Sequence, residues 1–248
     1  MSGHSKWATI KHKKGAADKA RAKVFNKIAR QLEVAAREGG PDPSANASLR
    51  TVILKAKAAQ MTNDAIDRAV KRGAGMNDGG NYESITYEGY GPGGVAMLID
   101  VLTDNRNRTS ADVRNIFNKL GGSMAEPGAV GWQFSRRGVI YVTGGDEDTV
   151  MMAALEAGAD DVAADGEGFK VTSEPSVVYE VRDALQAAGL TVASAESTMV
   201  SSVTIDVTDA DDARKILRIM DALDDNDDVQ DVYSNFDISE ELMEAVSG

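Results

Sequence analysis

The 248-residue chain contains no cysteine, which excludes a disulfide framework, a cysteine nucleophile, thiolate zinc sites and cysteine-ligated iron–sulfur clusters. Histidine occurs twice, as His4 and His12, so a Ser-His-Asp triad or a multi-histidine metal site would have to be built at the amino-terminal end. The lysines around them cannot orient an imidazole as a base, and both histidines read as part of a polar surface. No apolar run approaches the roughly 18 residues of a membrane-crossing helix, Val95 to Ile99 being one of the longer ones. No Gly-Lys-Ser/Thr follows a glycine loop, which removes the usual P-loop NTPase. The first thirty residues are cationic, without a following apolar stretch or a small-residue cleavage site, and Ser2 stands where myristoylation needs glycine. Neither a secretory leader nor that lipid anchor is expected.

What remains is the composition of a globular protein, 42% hydrophobic and 27% charged, long enough for one to three domains. Its net charge of -12 argues against a polyanionic partner, but the charge is segregated. Residues 1 to 75 hold 16 of the 27 Lys and Arg and 6 of the 39 Asp and Glu, a net +10. The other 173 residues carry 11 basic and 33 acidic side chains, a net -22.

Over Ala16 to Arg37 the residues Val24, Phe25, Ile28, Leu32 and Ala35 recur at helical spacing, with Gly39 and Gly40 as the stop. On the same wheel Lys19, Lys23, Lys27, Arg30 and Arg37 fall within about 80°, a basic stripe about 27 Å long. Asp42 and Pro43 read as N-cap and first-turn proline of a second helix that buries Leu49, Val52, Ile53 and Ala56. A third helix, from about Thr62 to Arg72, ends at Gly73, and the stretch GAGMNDGG over 73–80 reads as a hinge. A hairpin follows, with strands 84–90 and 95–102, then a helix closed by Gly121. From 139 the order strand (139–143), helix (147–157), strands (160–164, 168–172), helix (176–188), strand (191–199) is the ferredoxin-like split βαβ pattern. A strand at 203–207, a helix at 211–223 and a strand at 229–236 complete the chain.

Several catalytic-looking strings fail on context. Gly91, Gly93 and Ala96 fit a loose dinucleotide fingerprint, but a strand follows where a helix must open. Asp224, Asn226 and Asp228 imitate the start of a calcium loop, yet position six would be Val229 and position twelve Asn235, so the series reads as solvated loop acids. Paired carboxylates are too abundant for spacing to select any, and no catalytic or metal residue and no cofactor is nominated. The segment SGHSKWATIKHKK interleaves Trp7 with Lys6, Lys11, Lys13 and Lys14, a composition suited to phosphates and exposed bases together, and runs on into the stripe at Lys19, Lys23, Lys27 and Arg30. In Thr103 to Thr109, either Thr109 or Asn107 can cap the next helix. Arg106 and Arg108 oppose the dipole at that helix start and call for a phosphate or an acidic neighbour, an internal ion pair being the simpler answer.

The strings SGHSKWATIKHKK, DKARAKVFNKIARQL, AAREGGPDP and MTNDAIDRAVKRGAG, with TYEGYGPGG and LTDNRNRT further on, resemble the YebC family in order over nearly the whole chain. Thr62 departs from the proline that relatives commonly carry after the methionine, and fits a helix start equally well. The resemblance implies cytoplasmic DNA-binding transcriptional regulators, with relatives that act in translation at the ribosome, and it supplies no catalytic residue set. It implies an α+β fold: a three-helix domain, then two α/β sandwich domains, the last ferredoxin-like and inserted into the middle one. The corresponding division is 1–76, 81–136 with 201–238, and 137–200. The expected function is that of a non-enzymatic nucleic-acid-binding regulator of transcription, the alternative being a ribosome- or RNA-associated translation factor. A third reading has the +10 segment docking on the -22 body of its own or another copy, masking the stripe and allowing self-association. No membrane or small-molecule partner is expected.

Overall fold

A computed structural model describes residues 17–75 and 82–246. Among the described residues three helices come first: α1 (Ala17–Gly39), α2 (Ala47–Ala58) and α3 (Asn63–Ala74). They bury Ile28, Leu32, Ala35 and Ala36 of α1 against Leu49, Ala56, Ile66 and Ala69, the face that the sequence period marks out. The second helix starts later than Asp42 predicts. Asp42 instead closes a turn by accepting from the Ser44 amide at 2.9 Å and its hydroxyl at 2.8 Å. Asn46 is the cap: its Oδ1 accepts from the Leu49 amide at 3.0 Å while its Nδ2 donates to the carbonyls of Ala35 and Gly40, at 2.7 and 2.8 Å. One buried amide thus serves the beginning of α2 and the end of α1. Gly73 does not end α3 but lies buried within it, where a Cβ would come within 2.2 Å of the Glu33 carbonyl oxygen. Its glycine is a packing requirement between α1 and α3. Of the expected hinge, residues 76–80 lie outside the described residues.

The first sheet has the order β3-β1-β2-β9, all antiparallel, from β1 (Glu83–Tyr90), β2 (Ala96–Thr103), a short β3 (Ser123–Ala125) and β9 (Val229–Ser234). Strand β2 is buried on both faces. Met97, Ile99 and Val101 pack with α4 (Arg106–Leu120) and α7 (Ala210–Asp224), while Ala96 and Leu98 meet Val130, Phe134 and Tyr233. That explains the apolar run from Ala96 to Ile99.

Residues 134–201 form a second four-stranded antiparallel sheet, order β5-β6-β4-β7, the ferredoxin-like arrangement. Its elements are β4 (Phe134–Thr143), α5 (Glu147–Glu156), β5 (Ala159–Asp165), β6 (Gly168–Ser173), α6 (Val178–Ala187) and β7 (Thr191–Ser201). The chain enters through β4 and leaves through β7, which pair from Phe134↔Ser201 to Thr143↔Thr191, so an insertion costs the host only two adjacent crossings. Gln133 ties the crossings to the host sheet, its Oε1 accepting from Ser201 Oγ and Asn235 Nδ2, both at 3.0 Å.

The expected strand at 203–207 shrinks to β8 (Ile205–Asp206), parallel to β10 (Phe236–Asp237). The expected last strand breaks at Asn235, whose Oδ1 accepts from the Ala96 amide at 2.8 Å. A final helix, α8 (Glu240–Val246), adds Met243 to the main core.

Candidate nucleic-acid interface

The sequence places its basic stripe on α1, opposite the apolar face. Lys6, Trp7, Lys11, Lys13 and Lys14 lie outside the described residues, and Lys19 stands in the first turn of α1. Lys23, Lys27 and Arg30 converge on one acidic segment, Asp224 to Asp228, which begins at the last residue of α7. Lys23 Nζ reaches Asp225 Oδ1 at 3.0 Å and the Asp225 carbonyl at 2.6 Å. Lys27 Nζ reaches Asp224 Oδ1 at 3.2 Å and the Asp224 carbonyl at 2.9 Å. Arg30 Nη1 donates to the Asp227 carbonyl at 3.0 Å and Asp228 Oδ1 at 3.3 Å, with its guanidinium 5.6 Å from the centre of the Tyr82 ring. Gln31 bonded to Gln230 at 3.2 Å and Lys55 paired with Asp231 at 3.3 Å continue the seam.

Helix physics explains the seam. The last turn of α7 leaves carbonyls without intrahelical donors and carries the negative end of the macrodipole, yet it contains no basic residue. The cations it lacks arrive from α1. Reading these acids as solvated loop residues therefore missed their partners. The signal was present in the run DALDDNDD, an acidic helix end with no cation of its own. Lys27 is 9% exposed, and burial lowers its pKa from the ordinary lysine value against the opposing pull of Asp224.

Asp228 joins the seam to the interior. It is 7% exposed and accepts from Thr109 Oγ1 at 2.8 Å, Thr103 Oγ1 at 3.3 Å and Arg108 Nη2 at 2.7 Å. Burial alone would raise its pKa, but the bonds from Arg108 and Thr109, with the charges of Arg108 and Arg30, bring it below the ordinary aspartate value. Arg108 also pairs with Asp104 at 2.9 Å, so its partners are acidic neighbours. Arg106 is exposed and has no ion pair among the described residues. The cap of α4 is Asn105, whose Oδ1 accepts from the Arg108 amide at 3.1 Å, rather than Thr109 or Asn107. Thr109 is instead consumed by the Asp228 network, bonding Thr103 Oγ1 at 2.8 Å.

A second buried carboxylate went unnoticed in the sequence. Glu88, 9% exposed, accepts the amides of Gly128, Val130 and Gly131 at 2.7, 2.6 and 2.8 Å and so shapes the loop before β4. Burial works against its ionisation, but these three donors outweigh it and its pKa lies below the ordinary glutamate value. Among the described residues no group of three or more metal-ligating side chains occurs, and no helix is long and apolar enough to cross a membrane.

Two family models match. One, for the TACO1/YebC protein N-terminal domain, covers residues 5–76, and another, for the TACO1/YebC second and third domain, covers 82–236. A protein of Trichlorobacter lovleyi is 54% identical over 245 residues, 98% of this chain and 99% of that protein, and is named a probable transcriptional regulatory protein. One from Rubrobacter xylanophilus with the same name is 53% identical over 251 residues, covering 100% of both chains. The crystal structure of a conserved hypothetical protein from Aquifex aeolicus superposes with a TM-score of 0.74 at 40% identity, over 89% of this chain and 91% of that one.

Proposed function

The chain belongs to the TACO1/YebC family, and we propose that it is a non-enzymatic regulator of transcription that binds DNA through its amino-terminal domain. The observation that carries this reading is the charge segregation: +10 on residues 1 to 75 against -22 on the rest. In this reading Lys6, Lys11, Lys13, Lys14 and Lys19 supply cations that phosphates neutralise, and Trp7 stacks on or wedges between bases. Lys57, Arg68 and Lys71, exposed on α2 and α3 and without an ion pair among the described residues, add to the same field. The names of the relatives support a role in regulation.

The seam at Asp224 to Asp228 favours the masking reading alongside it. Lys23, Lys27 and Arg30 hold carboxylates and carbonyls of their own chain, so a polyanion that uses them must displace that segment. The test is the salt dependence of binding to labelled duplex DNA, with structured RNA in parallel. With six or more phosphates contacted, affinity falls about a thousandfold or more between 50 and 200 mM salt. A flat response on both would remove the reading, and a steep one on RNA alone would move the target to RNA.

A further inference from the structure

Two aspartates face each other across the first sheet. In the ladder between β2 and β9, Asp100 stands opposite Asp231, and the next step shifts register to pair Val101 with Val229, so Gln230 has no opposite residue in β2. The bulge frees Gln230 for its bond to Gln31 of α1. Like charges directly opposite in a sheet repel. Thr86 Oγ1 donates to Asp100 at 2.8 Å, but the four strands of the sheet contain no lysine or arginine. The sheet therefore holds a repulsive pair that it cannot neutralise with charge of its own.

The compensating charge arrives from two sides. From the helical unit, Lys55 Nζ of α2 lies 3.3 Å from Asp231 Oδ2 and 3.5 Å from its Oδ1. From the second sheet, Arg136 of β4 reaches the same face. Alternation puts Ala96, Leu98 and Asp100 on one side of β2. Leu98 packs with Phe134 and Tyr233, and Arg136 follows Phe134 by two residues, on the same side of β4. Arg136 bonds the Tyr233 hydroxyl. Its charge and that of Lys55 both act on Asp100, whose pKa burial raises above the ordinary aspartate value, against the bond from Thr86 and with Asp231 adding to the rise. Two cations from separate parts of the chain thus share one acid pair.

We propose that the Asp100–Asp231 pair is an electrostatic link through which the second sheet sets how firmly the helical unit is held. Each cation lowers the pull of the pair on the other. Withdrawal of Arg136 leaves both carboxylates to Lys55 and tightens the helical unit on the first sheet. By linkage, release of Lys55 strengthens the hold on Arg136 by the same factor. Lys55 lies on the seam with Lys23, Lys27 and Arg30, so the link regulates how the basic stripe is covered. This rests on the masking reading. The Lys55 and Asp231 side chains are 47% and 37% exposed, so the coupling is that of a surface ion pair, a few-fold effect.

The experiment uses the full chain without nucleic acid. The chain has no cysteine, so Ser48→Cys in α2 and Glu167→Cys between β5 and β6, both exposed positions, accept a donor and an acceptor dye. Energy transfer then reads the separation of the helical unit from the second sheet as salt is raised to about 1 M, where the screening length is about 3 Å. At the salt concentration that opens half of the otherwise unaltered chain, Arg136→Met lowers the open-to-closed ratio about twofold or more, and Lys55→Met raises it by a similar factor. Arg136→Lys keeps the charge and stays near the unaltered ratio, which separates charge from packing. In the background of Asp100→Asn with Asp231→Asn, Arg136→Met has no effect on the ratio. If Arg136→Met leaves the ratio unchanged, or shifts it equally in the Asn background, the link is overturned and the masking reading stands. If transfer stays flat up to the highest salt, the link and the masking reading both fall, and the nucleic-acid reading still answers to the salt dependence of DNA binding.

Discussion

A carboxylate that is 7% exposed must be compensated on every side, and Asp228 is compensated by residues from three elements: Arg30 of α1, Thr103 of β2, and Arg108 and Thr109 of α4. Asp228→Asn puts an amide N–H₂ where a carboxylate faces two guanidinium groups and removes charge-assisted bonds. The expected loss is about 3 kcal/mol in urea unfolding at neutral pH. A loss under about 0.5 kcal/mol would mean that the network is not formed in solution. The pH dependence follows from the same geometry. Asp228 and Glu88 are both held below the ordinary carboxylate range in the folded chain, so the stability that they contribute is present above the unfolded value of about 4 and is lost as pH falls through their folded values. Unfolding midpoints measured from pH 7 down to pH 3 should decline below about pH 5, and Asp228→Asn should flatten part of that decline. Asp100 runs the other way. Its pKa is raised by burial, partly offset by its bond from Thr86 and worsened by Asp231, so its charge weakens the fold once pH rises through that value.

At the scale of elements, the periodic segments were readable and their ends were not. The face of α1, the hairpin β1–β2 and the order of strands and helices over 134–201 follow from apolar spacing, because the period of burial is written into each segment. Caps depend on geometry that spacing does not carry. Asp42-Pro43 has the composition of a helix start, yet the buried Asn46 reaches both α1 and α2 and decides the boundary. The glycine of Gly73 looks like a stop in one dimension and is a helix-packing contact in three. Gly73→Ala is therefore expected to destabilise. The gain in helix propensity is about 1 kcal/mol. The added methyl would meet a backbone carbonyl at 2.2 Å, which can yield only if α3 moves off α1. Overpacking costs about 1–3 kcal/mol, and a clash with backbone lies at the upper end, so about 3 less the gain of about 1 leaves a net loss of about 2 kcal/mol in thermal or urea unfolding. A stabilised variant would show that the two helices do not approach as described. Asn235 belongs to the same class. Its side chain replaces a ladder partner at Ala96, and a strand that reads as continuous becomes two.

For the whole molecule, the candidate site was legible as charge but not as contact. Composition showed that one end was cationic and the rest acidic, and it could not show that Lys23, Lys27 and Arg30 already hold Asp225, Asp224 and Asp228. These contacts are separated by about two hundred positions in sequence, and no local pattern encodes such a distance. They set a competition between an intramolecular acidic segment and an external polyanion for the same ammonium groups. Asp224→Asn with Asp225→Asn weakens the internal side of that competition and leaves Asp228 and its network in place. The two lysines then become available to phosphates, and each added contact steepens the salt dependence on duplex DNA by about 0.9 in log–log slope. The variant should therefore bind more tightly than the wild type at 50 mM salt, with a slope more negative by about 1.8. That difference amounts to about a twelvefold greater fall in affinity between 50 and 200 mM salt. Equal slopes in the two proteins would show that Lys23 and Lys27 do not meet the nucleic acid even when uncovered. Their pairing with the α7 terminus would then be wholly structural, and the grip would lie with the residues that precede Lys23.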